Sequence, residues 1–329
     1  MVTIGSIKYS SGQEAKLQIP KIVGQNTYDV SISNQSPIEG VHISSHRTIY
    51  TYQQIQNIPT VPRRRNDVFN NYVNILRTRM SGGHTQWSPQ YYMKETLIAL
   101  ATFGYGNQAV HADIESATIF EDFQKILKIM LPQNLGFERL SIRVPEVMLE
   151  TKTGNFPIDA LSGGSSAIVD LAWQIFMFQP TTGDFVVTLD EPENHLHPEL
   201  QRRVLRDLIE AFPTVQFVVA THSPFVVSSV PDSSVYVLSY NDDRSVSSHL
   251  LDTANKAGSA NEILREVLGV DITIPIWAEN QLQELIDRYS KKEFDRETLG
   301  SLKLEMNRLG MGNQIPQALA SLAEIKDNQ

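Results

Sequence analysis

Twice between Phe185 and Pro224 an apolar run of the chain ends abruptly on polar residues. Phe185-Val186-Val187-Thr188-Leu189 stops at Asp190-Glu191-Pro192, and Val215-Gln216-Phe217-Val218-Val219-Ala220 stops at Thr221-His222-Ser223-Pro224. Between the two runs Leu200, Val204 and Leu208 recur four residues apart, as one face of a helix does. Strand, helix and strand in this order indicate neighbouring parallel strands joined by a crossover, hence a doubly wound α/β sheet. The β-branched second run suits a strand buried on both faces. Open α/β sheets bind ligands beyond the carboxyl ends of their strands, which is where the two acids and the histidine fall.

The other segments arrange themselves around this core. Residues 1–55 alternate apolar and polar positions in short runs such as Lys16-Leu17-Gln18-Ile19, the pattern of antiparallel strands. Residues 56–134 change period: Val68, Tyr72, Ile75 and Leu76, then Phe120, Phe123, Ile126, Leu127 and Met130, suit helical faces, with a loop from Ser81-Gly82-Gly83 to Pro89. Residues 135–250 open with a strand pair near 140–150 and a turn at Gly154, and continue into the α/β core. From 251 to 329 the chain turns helical. Ser259 is placed as an N-cap and Gly269 just past the helix end, further helices are expected at 277–289 and 297–309, and Pro316 suits the first turn of a last one. Trp277 and Leu282, on one apolar face of that tail, are read as core in preference to a docking surface.

Composition narrows the function classes. There are no cysteines, which excludes disulfides, thiolate zinc and cysteine nucleophiles. Hydrophobic residues make up 41% and charged residues 20%, ordinary for a globular chain, and no window approaches a membrane span or a secretory signal. A cytoplasmic location is expected. The net charge of −9 argues against a surface that coats itself with nucleic acid. Arg63-Arg64-Arg65 and the trio Arg202, Arg203 and Arg206 are local basic candidates, or simply solvated faces.

Three segments carry chemistry together. Asp190 suits a magnesium ligand, and Glu191 a base that orients and deprotonates water; by themselves the two acids also fit a solvated loop. His222 lies 31 residues past Glu191, and a neutral imidazole there can sense charge building on a phosphate, though a lone histidine after a strand is often structural. Leu161-Ser162-Gly163-Gly164-Ser165-Ser166 runs straight into an apolar helix from Ala167 to Phe178, so its backbone N–H groups offer an anion site or a flexible cap. A rival grouping of Asp190, Glu191, His195 and His197 suits a transition metal.

In order and spacing the set is more specific than its parts. LSGGSSAIVDLAWQIF resembles the signature motif and helix of ABC ATPases, FVVTLDEPENHLHPELQ a Walker B strand with its following loop, and VVATHSPF a switch-histidine strand. The wording DEPENHLHPELQ and THSP is closest to the ABC ATPases grouped with the OLD, RecF and SMC proteins, many of them prokaryotic defence ATPases. The resemblance covers about residues 135–240. It implies an ABC-ATPase-like parallel sheet with amino-terminal antiparallel strands, a helical insert and a helical tail. By it, Asp190 is the magnesium-linked carboxylate, Glu191 the general base and His222 the switch histidine, while Ser162, Gly163, Gly164 and Ser165 would meet the ATP held by a second subunit. The implied cofactors are ATP and Mg²⁺. The implied partners are a second copy in a head-to-head dimer or higher oligomer, an effector or nuclease protein, and DNA, with no membrane. An OLD-type nuclease would add a cluster of metal-binding acids, and none is seen after 240, where Asp242, Asp243 and Asp252 read as loop acids.

One element departs from the pattern. No G-x-x-x-x-G-K-[ST] loop occurs, and Gly24-Gln25-Asn26 lacks the lysine. The loop is expected upstream, on another polypeptide, or lost. An ATPase-dead or nucleotide-switched scaffold for an effector is the alternative reading.

Overall fold

The computed structural model describes residues 1–21, 29–45, 52–61, 63–181, 183–242, 245–251, 260–266, 276–292 and 295–327. They fall into two compact units, Met1–Val230 and Pro231–Gln329. The readings placed on Gly24-Gln25-Asn26, Asp243, Asp252, Ser259 and Gly269 lie outside the described residues.

The first unit begins with three antiparallel strands, β1 (Val2–Lys8), β2 (Glu14–Ile19) and β3 (Ser31–Ser33), in the order β1-β2-β3. The next strand, β4 (Gly40–Ile43), corrects the expectation that everything up to 55 is antiparallel. It pairs in parallel with β8 (Phe185–Asp190), which pairs in parallel with β9 (Val215–Ala220). Gly40 permits this pairing: a Cβ there would lie 2.6 Å from the Val186 carbonyl oxygen.

The sheet has two unlike faces. Val41 beside Val187, and Ile43 beside Leu189 and Val219, point into the main apolar core with Trp173, Val204 and Leu208. Each such aliphatic side chain contributes roughly 1.5–3 kcal/mol on burial. The alternate positions, His42, Thr188, Val218 and Ala220, lie on the other face, where His42, Val218 and Ala220 are exposed. The expectation of a β9 buried on both faces is therefore wrong: Val218 is 52% exposed, and among the described residues only one face is packed, not the two of a doubly wound sheet.

Three helices build the insert: α1 (Arg65–Met80), α2 (Pro89–Tyr105) and α3 (Ile114–Met130). The apolar positions of α1 and α3 face inward, as their periodicity requires. Ser88 caps α2 by accepting from the Tyr91 N–H at 3.1 Å, and Pro89 occupies the first turn, where no N–H is needed. A second antiparallel sheet follows, β5 (Phe137–Arg143), β6 (Glu146–Thr151) and β7 (Gly154–Pro157), so the anticipated pair has a third strand. Helix α4 (Gly163–Met177) is buried from Ser165 to Met177. The single helix expected around Leu200–Leu208 is instead two, α5 (Pro198–Gln201) and α6 (Val204–Ala211), interrupted at Arg202-Arg203, and α7 (Pro224–Val227) follows β9.

In the second unit β10 (Tyr236–Tyr240) and β11 (Val246–Leu250) form an antiparallel hairpin, followed by α8 (Ala260–Glu266). Helices α9 (Ile276–Ser290), α10 (Arg296–Arg308) and α11 (Ile315–Asp327) share a core of Leu282, Leu285, Leu302, Met306 and Leu322. Leu282 is core as expected; Trp277 is 60% exposed and is not.

Candidate functional site

The carboxyl ends of β8 and β9 are in register, with Asp190 opposite Ala220, so the two polar endings emerge side by side. Asp190 is half-buried and shares the open face with Thr188. Thr188 Oγ1 lies 2.9 Å from Nδ1 of His42 on the neighbouring strand. Glu191 leaves the strand with φ of 44°, a left-handed value that non-glycine residues rarely adopt. Its N–H donates to the Ala220 carbonyl at 2.8 Å, and Asn194 Nδ2 donates to its Oε2 at 2.9 Å. The same Nδ2 also reaches the Ser45 carbonyl at 3.3 Å.

Sequence reasoning passed over Glu193, which ties the two endings together. One of its carboxylate oxygens accepts from Thr221 Oγ1 at 2.7 Å and from the His222 N–H at 3.1 Å. Ser223 Oγ continues the link by donating to Gln201 Oε1 at 2.7 Å, and Gln201 Nε2 donates to the Leu196 carbonyl at 2.9 Å. His222 itself is exposed. The signal for Glu193 was only its place beside the acid pair; for His42 and Thr188 it was a polar residue interrupting an apolar run.

The Gly loop joins the same assembly. Ser162 caps α4, its hydroxyl accepting from the Ser165 N–H at 3.3 Å and donating to Ser165 Oγ at 3.1 Å. Gly163 faces open space, while a Cβ on Gly164 would come within 3.2 Å of the His195 carbonyl oxygen. The loop thus sits on the backbone of His195-Leu196, and His195 is itself left-handed at φ of 68°. His197 caps α5, its Nδ1 accepting from the Glu199 N–H at 3.4 Å. His197 thus caps a helix while His195 contributes its backbone, and among the described residues no three His, Asp or Glu side chains gather around a point where a metal could be held, so the transition-metal grouping is not assembled.

Half of the basic candidates are absorbed by the fold, while Arg64, Arg202 and Arg206 are exposed. Arg63 pairs with Glu95 at 2.8 Å, Arg65 donates to the Phe176 carbonyl and stacks on the Phe176 ring, and Arg203 pairs with Asp207 at 3.2 Å. Burial pulls the Arg65 guanidinium below its ordinary pKa. No described helix is long and apolar enough to cross a membrane.

The three segments named from sequence are thus linked by direct contacts: Gly164 against His195, and Glu193 against Thr221 and His222. Chemically the arrangement offers one carboxylate fixed by an amide donor, a second beside a hydroxyl, an exposed imidazole and a helix N-terminus with an open glycine. A magnesium ion takes one or two carboxylates and completes its shell with water and phosphate oxygens, which Asp190 fits.

Residues 115–228, which contain the Gly loop, Asp190, Glu191, Glu193, Asn194 and His222, match the family described as "AAA domain, putative AbiEii toxin, Type IV TA system". The Septu protein PtuA of Bacillus mycoides (strain KBAB4) is 27% identical over 179 residues, 51% of this chain and 24% of its own length. The Retron Vc95 probable ATPase of Vibrio cholerae serotype O1 biovar El Tor is 30% identical over 93 residues, 26% of this chain and 18% of its own. The chain therefore spans about a quarter or less of these relatives. Among solved structures, the SMC head domain from Thermotoga maritima aligns with 75% of this chain and 72% of its own, at 14% identity and a TM-score of 0.36.

Proposed function

We propose, from the premise that residues 115–228 form an ABC/AAA-type ATPase domain, that the protein binds and hydrolyses Mg-ATP between two copies of itself. Glu191 is the base that takes the proton of the attacking water. The observation that carries this role is its left-handed backbone at the end of β8, held by the Ala220 carbonyl, with the carboxylate fixed by Asn194. Costly backbone geometry of this kind gathers where a side chain must be aimed. Asp190 holds the magnesium ion, whose charge offsets that of the phosphates, and His222 responds to charge on the terminal phosphate.

Ser162, Gly163, Gly164 and Ser165 close over the nucleotide bound by the partner copy. Their support is the open Gly163 and the N–H groups at the start of a fifteen-residue helix. A phosphate-cradling G-x-x-x-x-G-K-[ST] loop has to come from outside these 329 residues. The Septu and retron names of the relatives favour a defence system as the setting, with an effector or nuclease protein and DNA as further partners. In the full-length protein, Glu191→Gln is expected to bind ATP and to hydrolyse it at least ~10²-fold more slowly. Undiminished turnover removes Glu191 from the role.

A second reading is a scaffold that binds an effector and uses nucleotide only as a switch, or not at all. ATP-dependent association of wild-type protein without any phosphate release is its expected result.

A further inference from the structure

Among the described residues Lys94 is the one buried lysine, its side chain 1% exposed, and none of the chemistry above uses it. It projects from α2 of the helical insert. Nζ donates to the Gln53 carbonyl at 2.8 Å and to Asp159 Oδ2 at 2.5 Å, and lies 3.7 Å from Glu146 Oε2. The Tyr52 ring covers it at 5.1 Å, while the Tyr52 hydroxyl donates to Glu146 at 2.7 Å. Burial raises the Asp159 pKa above the ordinary carboxylate value, against the opposing pull of Lys94.

Asp159 stands three residues before Ser162, in the single 3₁₀ turn Ile158–Ala160 that leads into the Gly loop. The loop is therefore tied through Asp159 to Lys94 on one side, and on the other Gly164 packs so near the His195 carbonyl that a Cβ would have little room. Stability alone is a weak reason for such a pair, because a well-packed apolar replacement of a buried ion pair is often neutral or stabilising. What an apolar replacement lacks is direction. The Tyr72 hydroxyl, bonded to Asp170 of α4, adds a second polar tie between the insert and the same helix.

We propose that Lys94 is a positioning residue that, through Asp159, sets the Gly loop at the start of α4 against the helical insert. This rests on the reading of Ser162–Ser165 as the loop that closes over nucleotide on a second copy.

The test uses the full-length protein and two variants, Lys94→Met and the double variant Lys94→Met/Asp159→Leu. The single variant strands the buried Asp159 carboxylate and is the one at risk of unfolding; the double variant removes Lys94 and Asp159 together and leaves Glu146 on the Tyr52 hydroxyl, so it is the one expected to stay folded. In the double variant, amide hydrogen exchange over 162–166 is expected to rise about tenfold or more, with α9–α11 unchanged. ATP turnover should fall by ~10²-fold, the effect of a misplaced positioning group. Mixing the double variant with Glu191→Gln protein should restore turnover, because one composite site then joins an intact Gly loop to an intact Glu191. Wild-type loop exchange in the double variant, or a mixture that stays inactive while wild-type protein turns over, overturns the proposal. A wild-type protein without turnover, or full turnover in Glu191→Gln, defeats the ATPase reading instead, and the exchange comparison still decides what Lys94 does.

Discussion

The two faces of the β4-β8-β9 sheet are built from alternate residues of the same strands, yet they differ in kind. On one, Val187 and Leu189 are 0% and 2% exposed and join the core. On the other, His42 meets Thr188, Asp190 is half-buried and Val218 is 52% exposed. One face holds the fold and the other presents chemical groups, and a shift of one residue in register would exchange them. Stability and function can thus be perturbed almost separately within three strands.

That separation can be broken or sharpened by substitution. Leu189→Ala, on the packed face, should have the largest effect on stability, about 2–5 kcal/mol in urea unfolding monitored on the first unit. A loss below about 1 kcal/mol would mean that this face is less closed than its burial indicates. Glu193→Ala lies between the two regimes. It strands the Thr221 hydroxyl and the His222 N–H, and about 1–3 kcal/mol is expected in the same measurement, with ATP turnover also lowered. Thr188→Val keeps shape but removes the partner of His42 Nδ1, so unfolding should shift by no more than about 1 kcal/mol. Val218→Thr, on the open face, should fall within about 0.5 kcal/mol of wild type. A large loss there would show that something covers the face in the intact protein.

Legibility from sequence divides along the same line. The strands β8 and β9 are readable as apolar runs ending on polar residues, though the open face of β9 is not, and the helices α1, α3, α9 and α10 are readable at nearly their observed places. Helix α2 does not stand out as an element of its own: Gln90, Lys94 and Glu95 are buried along with its apolar residues, so no single face is apolar. The direction of β4 is equally hidden, since Val41 and Ile43 alternate the same way in parallel and antiparallel pairings and their partners lie more than a hundred residues away. At the site, the acids, the histidine and the Gly loop are visible as types at a spacing. Glu193, Asn194 and Lys94 are not, because their roles come from contacts with distant backbone and side chains that no local pattern encodes.

Position 191 carries two demands that pull against each other. Its φ of 44° would best suit glycine, with asparagine or aspartate next, whereas the proposed water chemistry needs a carboxylate of glutamate's reach. Ranked by tolerance of the backbone, glycine and asparagine stand above glutamate at 191; ranked by turnover, glutamate stands above both. A saturation library scored once for folding and once for phosphate release should display that inversion at this residue, and not at Leu189 two positions before it.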